Sequence, residues 1–140
     1  PTFSSLESML SEAMFSIPAV KGIEFGSGFD FANMYGSEAN DAWIIQDNKV
    51  ITKTNHNGGI NGGISNGMPI TFKTVIKPTP SISLEQDSVN YETKENVKLS
   101  ILGRHDPAII HRARAVVDAM TALVIADAYM MTYGRKWFEK

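Results

Sequence analysis

The chain has 140 residues, 43% hydrophobic and 20% charged, with a formal net charge of −2 and no cysteine. That suits one domain with a sizeable core, argues against a general nucleic-acid binder, and excludes disulfides, thiolate zinc sites and cysteine nucleophiles. The three histidines (His56, His105 and His111) are too scattered for a metal site. No basic-then-apolar leader is visible, and the most apolar stretch, residues 113–131, carries Arg114, Asp118 and Asp127, against a membrane span. The expectation is a cytoplasmic protein with neither membrane nor nucleic acid as partner.

In chain order, Ser4 with Glu7 suggests a capping box, and Leu6, Met9, Leu10, Ala13 and Met14 recur at helical spacing. Pro18 ends that pattern, and residues 19–25 read as a strand turning at Gly26 and Gly28. Residues 36–48 read as a polar loop, and residues 50–53 as a short strand. Next comes the densest glycine segment, with five of the 11 glycines between positions 58 and 67. Glycine admits close backbone approach and positive φ. The segment is therefore either a wall for a flat or anionic ligand or a tight turn without one. It matches neither the dinucleotide fingerprint nor the P-loop. Period-two patterning over Ile70, Phe72 and Thr74 predicts a strand that stops at Lys77-Pro78-Thr79-Pro80-Ser81. The alternate prolines there preset an extended, stiff ribbon.

Residues 82–84 and 97–102 read as strands flanking a polar hairpin. The last element is a long helix with Asp106 at the N-cap, Pro107 at the first helical position, a broad apolar stripe, and Gly134 at its end. Helices at both ends around several strands make the fold α+β, with helices packed on an antiparallel or mixed sheet. Met9, Met14, Phe25, Phe29 and Phe31 are expected in the core.

Two groups of residues carry candidate chemistry. Lys77, Thr79 and Ser81 alternate along the ribbon, so one cation and two hydroxyls share a face: a phosphate clamp, or a solvated turn. In Gly103-Arg104-His105-Asp106-Pro107, Arg104 offers a bidentate fork for a carboxylate or phosphate. Asp106 is either a helix cap or a base, and the two roles are compatible. His56 and His105 read as hydrogen-bonded side chains rather than catalysts. Nothing in these residues by themselves specifies a reaction.

Taken in order, Ser16-Ile17-Pro18-Ala19-Val20-Lys21-Gly22, Gly62-Gly63-Ile64-Ser65-Asn66-Gly67, the ribbon at 77–82 and Gly103-Arg104-His105-Asp106-Pro107 resemble the C-terminal part of the chorismate synthase family. The resemblance implies part of that family's β-α-β sandwich fold. It makes residues 1–140 a single C-terminal fragment whose N-terminal counterpart is absent. It also implies an anti 1,4-elimination of phosphate from 5-enolpyruvylshikimate 3-phosphate, giving chorismate in the shikimate pathway. The cofactor implied is reduced FMN, and the assembly implied is a homotetramer. By resemblance, Pro18, Ala19, Gly62, Lys77, Pro78, Thr79, Pro80, Ser81 and Arg104 contact the flavin, and Asp106 assists proton removal.

The chain departs from the family pattern at Asn57 and Asn61, where alanine and leucine are usual, and at Ala108 and His111, where cysteine and proline are common. The family's catalytic histidines and substrate-binding arginines belong to the portion not represented. The 140-residue chain alone is therefore expected to be inactive and to bind FMN weakly. The alternative is a non-catalytic flavin- or phosphate-binding module.

Overall fold

The computed structural model describes residues 1–134 and 136. Helix α1 (Leu6–Phe15) leads into strand β1 (Val20–Phe25), followed by a short 3-10 helix at Gly28–Asn33 and the one-turn helix α2 (Gly36–Ala39). Six short strands come next: β2 (Trp43–Gln46), β3 (Lys49–Thr52), β4 (Ile60–Asn61), β5 (Ile64–Ser65), β6 (Phe72–Ile76) and β7 (Gln86–Asn90). Strand β8 (Glu95–Leu99) and the long helix α3 (Ile110–Tyr133) complete the order. The strands form four separate antiparallel pairs, β1–β6, β2–β3, β4–β5 and β7–β8. The result is α+β, as the patterning implies.

The core is small and centred on α1. Its helical spacing brings Leu10, Ala13 and Met14 to one buried face, joined by Ile17 and Val20 as the chain turns into β1. Ile23, Phe72 and Ile76 cover this cluster from the β1–β6 pair, and Val117, Met120 and Val124 cover it from α3. The expected alternation in β6 is present, with Phe72, Thr74 and Ile76 more buried than Lys73 and Val75. Phe25 packs on Phe72 at 5.8 Å between ring centroids, and Phe31 sits edge-on to His56 at 6.5 Å. Phe29 does not join the core; it is 83% exposed.

Several boundaries differ from the sequence reading, each for a local reason. The cap of α1 is Ser5, whose side chain accepts from the Ser8 N–H, while Ser4 lies at φ 57° outside the helix. The supposed loop at 36–48 contains α2 and strand β2. Asp47 and Asn48, both at positive φ, turn β2 directly into β3. Residues 82–84 are not a strand; the hairpin pairs Gln86–Asn90 with Glu95–Leu99 instead. Helix α3 starts at Ile110, so neither Asp106 nor Pro107 occupies its first turn. Gly134 closes it at φ 57°, as expected.

Only Ala113 of α3 is fully buried, and Val116, Leu123, Met130 and Met131 are exposed. An apolar groove of about 820 Å³ runs between α3 and β6, lined by Ile70, Phe72, Val117, Thr121 and Ile125 among others. By length and composition α3 could cross a membrane, with a mean hydropathy of 1.4 over its most apolar window. Buried core helices of soluble proteins share that property, but none of this window is buried.

Candidate functional site

The two ends of α1 position the two groups of candidate residues. At its C-terminal end the chain passes through Ser16 and Ile17 to Pro18 and then to Ala19, which adopts φ 72°. A left-handed alanine costs roughly 1–2 kcal/mol. Here it turns the Ala19 carbonyl onto the backbone N–H of Lys77, which donates to it at 2.7 Å. The turn and the ribbon are thereby tied together. Immediately afterwards, β1 carries a bulge against β6. Val20 pairs with Ile76 and Gly22 with Val75, so Lys21 is the extra residue.

The outcome is a cleft of about 270 Å³ lined by Ala19, Lys21, Lys77, Pro78, Thr79, Pro80 and Ile109. Of the residues expected at a cofactor, Ala19, Lys77, Pro78, Thr79 and Pro80 therefore meet around one space, with Pro18 directly before Ala19. Thr79 carries a buried Oγ1 that has no hydrogen-bond partner among the described residues. Among those residues no ion pair engages Lys21 or Lys77. Ammonium groups and hydroxyls with donors to spare suit a phosphate, whose oxygens only accept. This donor set fits the phosphate end of FMN. The cleft is smaller than the ~300–1,000 Å³ of a complete small-molecule pocket, so it accommodates part of such a ligand rather than the whole.

Ser81, at the end of the ribbon, is engaged by His105. Its Oγ lies 3.0 Å from His105 Nδ1, while His105 Nε2 lies 2.9 Å from the Ile101 carbonyl. The carbonyl can only accept, so Nε2 carries the proton. With the proton on Nε2, Nδ1 can accept from the Ser81 hydroxyl. His105 is thus a hydrogen-bonded side chain that fastens the Gly103–Pro107 turn to the ribbon. The exposed Arg104 lies in that turn, and Asp106 pairs with Arg112 from the first turn of α3. That contact, rather than a cap, holds Asp106.

Gly62 lies elsewhere. Strands β4 and β5 are joined by Gly62 and Gly63, at φ 60° and 83°, a two-residue turn that requires positive φ at both positions. The Gly63 carbonyl accepts from the Leu6 N–H at 2.9 Å, so this hairpin sits on the N-terminus of α1. The ten residues of α1 place it about 15 Å of helix away from Ala19. A side chain at Gly62 would meet nothing within 4 Å, whereas one at Gly58 would come within 2.7 Å of the Thr71 carbonyl. Much of the glycine density is thus used by close backbone packing; Gly62 itself remains open.

Asp41, which the sequence reading left in a loop, organises the approach to this hairpin. Its carboxylate accepts from Thr54 Oγ1, from the backbone N–H groups of His56 and Asn57, and from Asn57 Nδ2, all within 2.9 Å. Burial pushes the carboxyl up, but these four donors together outweigh it and hold it at about 2. Asn57, a departure from the family pattern, is thus fixed by a charge-assisted contact. Asn61, the other, accepts from Asn66 Nδ2 at 2.6 Å across the β4–β5 turn. His56 bonds Ser27 at 2.8 Å through Nδ1. Among the described residues no cluster of three potential metal ligands occurs.

The scaffold is α+β, with a small cleft lined by two lysines beside a Lys-Pro-Thr-Pro-Ser ribbon. The chorismate synthase family profile matches residues 1–130. A chorismate synthase of Dehalococcoides mccartyi is 54% identical over 127 residues, covering 91% of this chain and 35% of the relative. One from Archaeoglobus fulgidus is 50% identical over 131 residues, covering 94% and 36%. A crystal structure of chorismate synthase superimposes with a TM-score of 0.70 at 30% identity, over 93% of this chain and 31% of that one. The chain belongs to the chorismate synthase family, and it spans about a third of the length of these relatives.

Proposed function

We propose that this chain is the C-terminal part of a cytoplasmic chorismate synthase. That enzyme eliminates phosphate from 5-enolpyruvylshikimate 3-phosphate in an anti 1,4 sense to give chorismate, using reduced FMN, as a homotetramer. The observation that carries the reading is the junction of Ala19 with the 77–80 ribbon around one cleft, within a chain that matches the family over residues 1–130. In that reading bound FMN would supply electron density to the substrate transiently as the phosphate leaves, and a site for the substrate proton. The residues of this chain bind and orient. Lys77 and Thr79 hold the phosphate end, Pro78 and Pro80 keep the ribbon extended, and the Pro18–Ala19 turn forms the facing wall. Ser81 is oriented by His105. Arg104 and Asp106 act from the adjoining turn, Arg104 at the flavin and substrate, Asp106 in proton removal. Gly62 contacts flavin from a surface outside this cleft, at the opposite end of α1.

FMN fluorescence, followed as the purified 140-residue chain is added, tests the reading. Weak binding that Lys77→Ala reduces about tenfold, the equivalent of one charge-assisted contact, is expected, with no turnover of the enolpyruvyl substrate. An FMN signal unchanged by either chain would refute the cofactor assignment. Turnover by this chain alone would refute its inactivity. A non-catalytic flavin- or phosphate-binding module predicts the same binding. It is distinguished by the upstream reading frame, where the enzyme requires histidine and arginine motifs.

A further inference from the structure

We infer that Lys21 is a second cation of the cleft, aimed there by the β1 bulge, and that it adds to Lys77 a preference for a ligand bearing a dianionic phosphate monoester. The inference rests on the cofactor reading above and adds a residue and a specificity to it. In a regular strand, Lys21 would alternate with its neighbours and take its face from the pleat. The extra residue between the Val20–Ile76 and Gly22–Val75 pairs breaks that alternation, and bulges re-aim side chains in this way. Lys21 accordingly lines the same cleft as Lys77, which directly follows β6.

Two cations lining one cleft disfavour one another when it is empty, and a bound dianion reverses the sign of that interaction for both. A single lysine would serve a phosphodiester nearly as well as a monoester. Two lysines lining one cleft with Thr79, whose hydroxyl has no partner among the described residues, favour the ligand carrying two negative charges and a terminal phosphate. Lys21 should therefore contribute to the binding of FMN and of simple phosphate monoesters, not at all to that of riboflavin, which has no phosphate, and less to that of dinucleotide flavins, whose phosphates are diester-like and singly charged.

Titration of the 140-residue chain with FMN, riboflavin, FAD and phenyl phosphate tests this. Wild type, Lys21→Gln, Lys21→Arg and Lys77→Ala would be compared, with thermal melts showing that each variant folds. Lys21→Gln should weaken FMN and phenyl phosphate about tenfold, leave riboflavin unchanged and narrow the preference for FMN over FAD, while Lys21→Arg restores binding. FMN binding that Lys77→Ala weakens and Lys21→Gln leaves intact would overturn the inference and spare the cofactor reading. Lys21-dependent binding of phenyl phosphate, with FMN binding no tighter, would support the two-lysine site and refute the flavin. A wild-type chain that binds none of the phosphates would overturn both.

Discussion

The two ends of α1 differ in what fills the space around their backbone. At the N-terminal end, most of the glycine segment is closed by protein and Gly62 alone of its hairpin turn is left open: Leu6 donates to Gly63, Gly58 packs against Gly26 and Thr71, and Asp41 gathers the preceding loop. At the C-terminal end, a strained alanine, a bulge and a two-proline ribbon leave an open cleft with an unpartnered hydroxyl and two lysines. Glycine-rich backbone here marks a place where chain approaches chain, whereas the open cleft lies where stiff residues hold the chain apart.

That contrast can be broken by substitution, beginning with the largest expected effect. Gly26→Ala should destabilise by about 3–4 kcal/mol, because a Cβ there overlaps the His56 carbonyl and the residue is left-handed as well. Chemical denaturation would measure it, and a loss near zero would show that the glycine end is not closed. Asp41→Asn should cost about 2 kcal/mol through its charge-assisted bonds. The Asp41 carboxyl sits at about 2 against an ordinary 3.8. Its contribution is therefore present above about pH 4 and lost as pH falls towards 2. The variant should lack that component of the acid transition, which a stability profile between those limits would reveal.

Gly62→Ala should cost only about 1 kcal/mol, the left-handed penalty less the entropy removed from the unfolded chain, since no atom lies within 4 Å of the new methyl. A cost like that of Gly26→Ala would erase the distinction between the two glycines. The smallest effect belongs to the exposed Lys73–Glu24 pair at 2.9 Å. Lys73 hydrogen-bonds Glu24 and holds its carboxyl below the usual range. Lys73→Ala should scarcely move the melting temperature, and still less in high salt.

The elements with long, regular patterns were legible in the sequence. Helical spacing from Leu6 to Met14 and period-two spacing at 70–76 both correspond to structure, as does the apolar stripe of α3. Shorter signals were harder to read. Trp43-Ile44-Ile45 lies among polar residues, and Asp47-Asn48 is a less familiar two-residue turn than Asn-Gly, so β2 was read as loop. Asp106-Pro107 has the composition of a helix start, but Arg112 reaches back to Asp106 and α3 begins beyond it.

The ribbon and the Pro18–Ala19 turn were readable as motifs, and their tie through Lys77 N–H follows from their proximity in the fold. Lys21 was not readable as a lining residue. Its face depends on which β6 residue each β1 residue pairs with, and no local pattern encodes that register.

Ala19 has a consequence for engineering. Replacing it with glycine relieves its left-handed strain but enlarges the freedom of the unfolded chain, two terms of about 1 kcal/mol and opposite sign. A melting curve would register almost nothing. The peptide that presents its carbonyl to Lys77 would nevertheless lose its stiffness, and the wall of the cleft with it. At this one position rigidity is uncoupled from stability, so a screen for thermostable variants would pass over the change that softens the site most.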